Sequence, residues 1–392
     1  MKKIILLFAV AVVMSACKNF DIEHPNFYCT SVYFANQFPV RTIILGDYLY
    51  PNNNDNAFKC VIYAKIGGVY ENKHARKISI KVDDGFCDNI LFRASNEKIL
   101  PMPKNYYSLS SENELVISKG EMMGGVEVQL TNAFFEDPLA FKNKYVIPLL
   151  ITDTQQDVDS VLMGRSREGL LNPDPRIVGD WDIAPKYYTL YCVKYINEYD
   201  AVYLHYGTST VTNATGTKSD SIYKEKYVEY NRTLKLTTNG RNKVQTADIP
   251  FRSTVLKGMY QLQLDFDGNN CTISGGGVYT RDDEIDNPDF DPDLPVNKDS
   301  NPETIEVTYT TIYRVIATEK GVFVSKLDDP YTSWSNQAHD VINHLKYRVV
   351  IDTTDDPELD TSLIYEADET LVFQLRDVVF EEYSPVLAPQ TP

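Results

Sequence analysis

From residue 28 onward the hydrophobic positions of the chain recur at every second residue. Ile78, Ile80 and Val82 alternate with Lys77, Ser79 and Lys81, and Val126, Val128 and Leu130 alternate with Glu127 and Gln129. The same period runs through Leu262, Leu264 and Phe266, then Ile305, Val307 and Tyr309, and ends in Leu371, Phe373 and Leu375. A period of two gives a strand one buried and one wet face, the mark of antiparallel sheets. Turn clusters such as Gly67-Gly68, Asp83-Asp84-Gly85 and Asp267-Gly268-Asn269 separate these runs. The pattern predicts an all-β protein. Helices are expected at two places only. One is a short turn opened by Asp137-Pro138-Leu139-Ala140, and the other is a helix over 335–346 with Ala338, Val341, Ile342 and Leu345 on one stripe.

The alternation fades between Asp153 and Trp181, where Gly164-Arg165-Ser166-Arg167-Glu168-Gly169 and Asn172-Pro173-Asp174-Pro175 intervene. This stretch divides the chain into an expected domain at 26–160, a linker at 161–177, a second domain at 178–385 and a tail at 386–392. In size the first suits an immunoglobulin-like β-sandwich. The second is long enough for a larger antiparallel sandwich or a barrel-like domain.

The first residues concern location and not fold. Met1-Lys2-Lys3 and the apolar run Ile4–Met14 form a secretory signal over 1–16, too short to span a bilayer. Small residues Ser15 and Ala16 precede Cys17, as in a bacterial lipobox, so Cys17 is the expected lipidation site and 17–25 the tether. An acyl anchor holds a protein at a membrane without a spanning segment. Of the other cysteines, Cys29, Cys60, Cys87, Cys192 and Cys271, no two stand in a C-x-x-C pair. That argues against zinc and thioredoxin-like chemistry and favours buried thiols, with one disulfide among the first three left open. Across the 392 residues, 38 basic side chains face 55 acidic ones, a net charge of −17 that repels phosphate backbones and excludes nucleic acid as a partner.

Five segments follow one another in an order that carries a resemblance: Ser31-Val32-Tyr33-Phe34-Ala35-Asn36-Gln37-Phe38-Pro39-Val40-Arg41-Thr42, Gly67-Gly68-Val69-Tyr70-Glu71-Asn72, Leu100-Pro101 to Tyr106-Tyr107-Ser108-Leu109, Gly124-Gly125-Val126-Glu127-Val128, and Tyr145-Val146-Ile147-Pro148-Leu149. Together they resemble the domain of unknown function at the front of many Bacteroidetes lipoproteins of Sus-type glycan-uptake loci, which in some members precedes a glycoside hydrolase family 18 domain. Asp21 and Glu23 resemble the surface-export signals of such lipoproteins. Tyr195 to Gly207, Gly216-Thr217 and Thr370 to Asp377 resemble the β-rich partner domain of the non-hydrolase members. The resemblance implies a cell-surface accessory protein contacting glycans, and it carries over no catalytic residue.

Individual motifs point the same way. Asp286-Asn287-Pro288-Asp289-Phe290-Asp291-Pro292-Asp293 imitates the family 18 hydrolase signature, but two prolines break any central strand and the last residue is Asp in place of the acid Glu. Asp289, Asp291 and Asp293 are candidate cation ligands, although an EF-hand counted from Asp289 meets Leu294 and Ser300 where Gly and Glu are needed. There is no H-E-x-x-H or G-x-S-x-G, and Gly275-Gly276-Gly277 reads as a turn. Tyrosine is abundant at 27 residues, and flat aromatic faces stack on sugar rings; Trp181, Tyr331 and Trp334, placed in loops, are the candidate glycan-binding residues. The expected function is a non-catalytic surface lipoprotein that binds glycan for a polysaccharide-uptake system, needing no cofactor and docking on outer-membrane uptake-complex proteins. A structural or adhesin-like subunit binding protein is the alternative.

Overall fold

The computed structural model describes residues 27–155, 158–296 and 302–389. The signal segment, Cys17, Asp21 and Glu23 lie outside the described residues. The described chain is all β, as its alternation predicts. The first unit is a two-sheet sandwich. Its strands are β1 (Ser31–Phe34), β2 (Pro39–Ile44), β3 (Lys59–Gly67), β4 (Arg76–Val82), β5 (Glu114–Ile117), β6 (Met123–Leu130), β7 (Tyr145–Asp153) and β8 (Tyr188–Ile196). One sheet runs Ser160–Val161, β1, β3, β6, Tyr107–Leu109, and the other runs Glu381–Glu382, β2, β8, β7, β4, β5. Between them Ile62, Ala64, Val126 and Val128 meet Ile43, Ile78, Leu149 and Tyr195, all fully buried.

The second sheet is covered on its outer face as well. Phe86–Phe92 and the returning C-terminal segment bury Val146, Leu150, Leu190 and Cys192 there, which is why β7 reads as a continuous apolar run rather than an alternating one. Tyr383 seals this layer, its ring against Phe38 and Phe92 and its hydroxyl on the Leu190 carbonyl. The end of the chain thus comes back to the sandwich: Glu381–Glu382 pair with β2 and Pro385–Leu387 with Ile90–Phe92.

The second unit is a closed barrel. Its strands are β9 (Ala201–Thr212), β10 (Arg232–Gly240), β11 (Lys243–Thr246), β12 (Met259–Asp267), β13 (Asn270–Asp286), β14 (Thr304–Ala317), β15 (His339–Thr354) and β16 (Ile364–Leu375). Each pairs antiparallel with the next, and β16 pairs with β9 to close the ring. An eight-stranded barrel has an interior about as wide as its side chains can fill. Here Tyr203, Tyr260, Tyr313, Tyr347, Tyr365 and Phe251 fill it, which accounts for much of the tyrosine excess. Gly275, Gly276 and Gly277 form no turn. They lie inside β13, where a Cβ on Gly275 would stand 2.0 Å from the Gln261 carbonyl oxygen and one on Gly276 2.4 Å from that of Tyr313. Their lack of side chains lets three adjacent barrel strands coil closely.

Two further expectations are corrected. The expected helix over 335–346 is a hairpin turn followed by β15. Ser335 and Asn336 both have positive φ, forming a two-residue turn bridged by Trp334 and Gln337. A bulge at Asn343-His344 then lets Ile342 and Leu345 face the same side, so a spacing of three that suggests a helix arises inside a strand. The second correction concerns the boundary. Residues 161–177 wrap the sandwich, with Arg176 donating to the carbonyls of Phe86 and Asp88, and β8, expected in the second domain, lies between β2 and β7. The crossing to the barrel falls at Asn197–Asp200 instead. Pairing decides the boundary, and a run of turn residues does not reveal it.

Cys29, Cys60, Cys87, Cys192 and Cys271 are all free, and only Cys29 is exposed. Burial pushes each of the other four thiols up to about 12. Thiolate is the reactive form, so these four are inert in the folded chain. In a chain beginning after Cys17, a thiol reagent at pH 8 is expected to titrate one sulfur in the native state and all five after denaturation. A second fast native thiol would refute this packing.

Candidate functional site

Where the barrel approaches the sandwich, the loop after β2 displays Tyr48, Leu49 and Tyr50. Its base is clasped from below: Asn52 Nδ2 donates to the carbonyls of Ile44 and Gly46 (2.8 Å each), Gly46 N–H donates to Asn56 Oδ1, and Ile44 N–H donates to Asp55 Oδ2. Gly46 has φ +80°, and a Cβ there would stand 2.5 Å from Glu198 Cβ, so only glycine lets the loop lie against the crossing segment. Asp47 reaches across to Lys326 Nζ at 2.7 Å. The loop is therefore rigid at its base and open at its tip. Leu49 is 85% and Tyr50 64% exposed, with the Tyr48 and Tyr50 rings in edge contact.

Behind this tip lies a cavity of about 490 Å³. The loop forms one wall. Phe373, Leu375 and Ala338 supply apolar floor, and Gln337, Gln374, His339 and Asp340 supply polar groups. A mostly apolar hollow with a few convergent polar groups, set at a domain junction, is where small ligands usually bind. Burial lowers the His339 pKa, leaving its ring neutral near pH 7. A larger hollow of about 610 Å³ lies between the C-terminal segment and the sandwich; Lys194 and Glu381 pair across it at 2.6 Å, and no exposed tyrosine lines it.

The residues singled out from sequence fall in different places. Trp181 lies on the sandwich, its indole N–H on the Asp174 carbonyl, in a short strand paired with Arg165–Ser166. Tyr331 and Trp334 pack together on the outer wall of the barrel with Leu204, Val341 and Val372. The Tyr331 hydroxyl donates to the Glu225 carbonyl and accepts from Asn231 Nδ2, while Lys224 lies 4.0 Å over its ring. Trp334 stacks on His339, centroids 3.3 Å apart, and so backs one wall of the junction cavity without lining it. Asp289, Asp291 and Asp293 are exposed at the tip of the long β13–β14 ribbon, where Asp291 Oδ1 accepts from the Asp293 amide. Among the described residues no group of three or more His, Cys, Asp and Glu side chains converges to hold a metal. The Tyr48-Leu49-Tyr50 triplet escaped the sequence reading. Its signal was an apolar trio stranded between Asp47 and the polar run Asn52–Asn56.

A second polar constellation sits inside the barrel. Glu369, 1% exposed, accepts from Tyr223 (2.6 Å) and Tyr347 (2.8 Å), and Tyr347 contacts the Tyr260 hydroxyl at 2.7 Å. His205 Nε2 lies 3.0 Å from Glu369 Oε1, within ion-pair distance of the carboxylate. Burial pushes the Glu369 carboxyl up, yet the field of His205 and the tyrosine hydrogen bonds outweigh it, and its pKa is lowered. Burial, and then the Glu369 charge, raise the pKa values of Tyr223, Tyr260 and Tyr347, which keeps them as donors. General acid–base work requires reach to a substrate atom. A carboxylate this deeply enclosed has none.

A family model described as an N-terminal domain matches residues 26–158. No curated protein matches the chain. A solved protein of unknown function from Bacteroides ovatus is 31% identical, the match covering 93% of this chain and 100% of that one with a TM-score of 0.72. A looser likeness, 14% identical with a TM-score of 0.33 over 86% of this chain and 90% of the other, is to an auxiliary nutrient binding protein of Bacteroides thetaiotaomicron. The class is thus a two-unit protein of β-sandwich and β-barrel. The chain belongs to the family of the Bacteroides ovatus protein, as the resemblance in its N-terminal half implied.

The buried cluster sets an acid limit on stability. A carboxyl whose pKa is lowered by folding contributes stability above its ordinary value of 4.5 and loses it as pH falls toward the folded value. Urea unfolding is expected to show stability dropping as pH falls below 4.5. Glu369→Gln should flatten that drop and cost about 3 kcal/mol at pH 7, the scale of breaking a buried pair. Equal pH slopes in the two proteins would show that the carboxylate carries none of this dependence.

Proposed function

We propose that this protein is a non-catalytic glycan-binding accessory protein of a polysaccharide-uptake system, held at the outer membrane by lipid on Cys17 and facing the cell surface. The observation that carries this reading is the rigidly based Tyr48-Leu49-Tyr50 tip beside the junction cavity. The exposed Tyr50 ring and the half-exposed Tyr48 ring offer flat faces to the C–H groups of a pyranose at little entropic cost. Gln337, Gln374 and the tyrosine hydroxyls match the alternating donors and acceptors of sugar hydroxyls. The sequence resemblance to lipoproteins of glycan-uptake loci supports the setting. The enclosure of Glu369 supports recognition without turnover. Among the described residues no helix is long and apolar enough to cross a membrane, so this reading places attachment on the acyl anchor.

Two experiments test it. Affinity electrophoresis against polysaccharides should show retardation that Tyr48→Ala and Tyr50→Ala each weaken about tenfold, the equivalent of one aromatic contact, with unchanged melting. Unaltered retardation in both variants would refute the site. In cells, Cys17→Ser should move the protein from the membrane fraction to the soluble fraction and abolish metabolic labelling with a fatty-acid analogue. Labelling that persists in Cys17→Ser would refute the anchor.

A further inference from the structure

The same tyrosine tip borders a second hollow. On the side away from the barrel lies a cavity of about 450 Å³, lined by Arg41, Ile44, Tyr48, Tyr50, Pro51 and the polar run 52–55. Tyr48 and Tyr50 line both cavities. They form a ridge, with one hollow running toward the barrel mouth and the other along the sandwich. A ligand confined to one hollow would leave the opposite side of the ridge unused, whereas a chain lying across it meets both ring faces and both sets of amides.

The charged side chains around the two hollows are engaged within the protein. Arg41 pairs with Asp55, and Asp47 pairs with Lys326. Asp340 Oδ1 accepts from Ser325 Oγ and from the Lys326 amide. Arg376 commits Nη1 to the carbonyls of Asn197 and Asp200. What remains at the surface of both hollows is neutral: Asn53 and Asn54 on one side, Gln337 and Gln374 on the other, and the tyrosine hydroxyls between. The overall charge of −17 further opposes uronate-rich or sulfated polymers.

We infer that the ligand is an internal stretch of a neutral, extended polysaccharide that lies across the Tyr48–Tyr50 ridge and occupies both hollows together. This rests on the glycan reading of the site and adds to it the polymer's charge class and mode of binding. Each hollow is within the size range of ordinary small-ligand pockets. Joining two such subsites on one chain raises affinity because the second contact becomes intramolecular. Short oligosaccharides therefore bind weakly and longer ones more tightly, until both hollows are filled.

The test uses the full folded chain after Cys17. Neutral gluco-, manno-, galacto- and xylo-oligosaccharide ladders, running from the monosaccharide to about the octasaccharide, are titrated by calorimetry, with polygalacturonate and a sulfated galactan as charged probes. Within the ladder that binds, affinity should rise at least about tenfold from the disaccharide to the longest member. The double variant Asn53→Ala/Asn54→Ala should lower affinity for the longest member about three- to tenfold, as should Gln337→Ala/Gln374→Ala on the other side. An affinity independent of length, or loss on one side only, overturns the two-hollow inference while leaving glycan binding intact. Binding to the charged polymers alone, or to no member of the panel, overturns it as well. Binding that Tyr48→Ala and Tyr50→Ala leave untouched refutes instead the reading on which the inference rests.

Discussion

The guanidinium of Arg376 is the joint on which the arrangement of the two units depends. The chain crosses between sandwich and barrel twice, outward at Asn197–Asp200 and back after Leu375, and Val202 pairs directly with Leu375 so that the crossings run side by side. Arg376 on the returning strand donates to the carbonyls of Asn197 and Asp200 on the outgoing one. Asn197 is itself pinned, its amide to the carbonyls of Gly240 and Lys243, and Asp200 accepts from both the amide and the hydroxyl of Thr238. A charged donor bound to two carbonyls in a partly buried place is worth more than a neutral hydrogen bond. At the same rim, in the turn between Gly240 and Lys243, Arg241 lies over Phe58 and Phe135, adding a cation–π clamp. A double crossing fixed in this way behaves as a weld and not as a hinge, and it holds the wall of the junction cavity that the sandwich supplies against the wall that the barrel supplies.

The barrel obeys a different constraint. Closing eight strands leaves an interior that large side chains fill, and filling it with tyrosine brings hydroxyls that must find partners. Glu369 is the common acceptor for Tyr223 and Tyr347, with His205 Nε2 beside it. A buried cluster of this kind is weak evidence for stability in itself, because an apolar replacement of equal volume is often as stable. What it does provide is a fixed geometry for Tyr223 and Tyr347, whose hydroxyls both end on the same carboxylate. The tyrosines that the sequence offers in such number therefore divide into two populations. Tyr203, Tyr260, Tyr313, Tyr347 and Tyr365 organise the barrel core, and others, Tyr50, Tyr70 and Tyr230 among them, face solvent.

How much of this could be read in advance follows from which forces act locally. Alternation in β4, β6 and β12 was legible because each strand has one buried face, and the all-β architecture followed from it; in β16 adjacent Leu371 and Val372 are both buried and Leu375 is exposed. The β13–β14 ribbon shows the limit of that logic. Ile305, Val307 and Tyr309 alternate as cleanly as any strand, yet past Thr310 the ribbon leaves the barrel and they cover no core. The bulge in β15 placed Ile342 and Leu345 on one side at a helical spacing, and only pairing with β16 distinguishes the two structures. Loop aromatics were the least legible. Trp181 and Trp334 look exposed on paper because their neighbours are polar, but an indole N–H on a carbonyl in one case and a stacked imidazole in the other tie them down. Tyr48 and Tyr50 acquire their meaning only from Lys326 and the 337–340 segment, nearly 280 residues further along.

Placing the tyrosine ridge at the weld has a consequence for how tightly it can bind. The loop is held before any ligand arrives, so little ordering entropy opposes association, which is the usual route by which preorganisation raises affinity. Yet the contact surface is open, and on the proposed reading its amides exchange water for sugar hydroxyls at small net gain. Rigidity keeps such a site from being weaker than its few contacts allow, and its open surface keeps it from being tight. On the proposed reading, a polymer crossing both hollows is held by the sum of such contacts, and each contact stays weak enough to be released when the chain moves on.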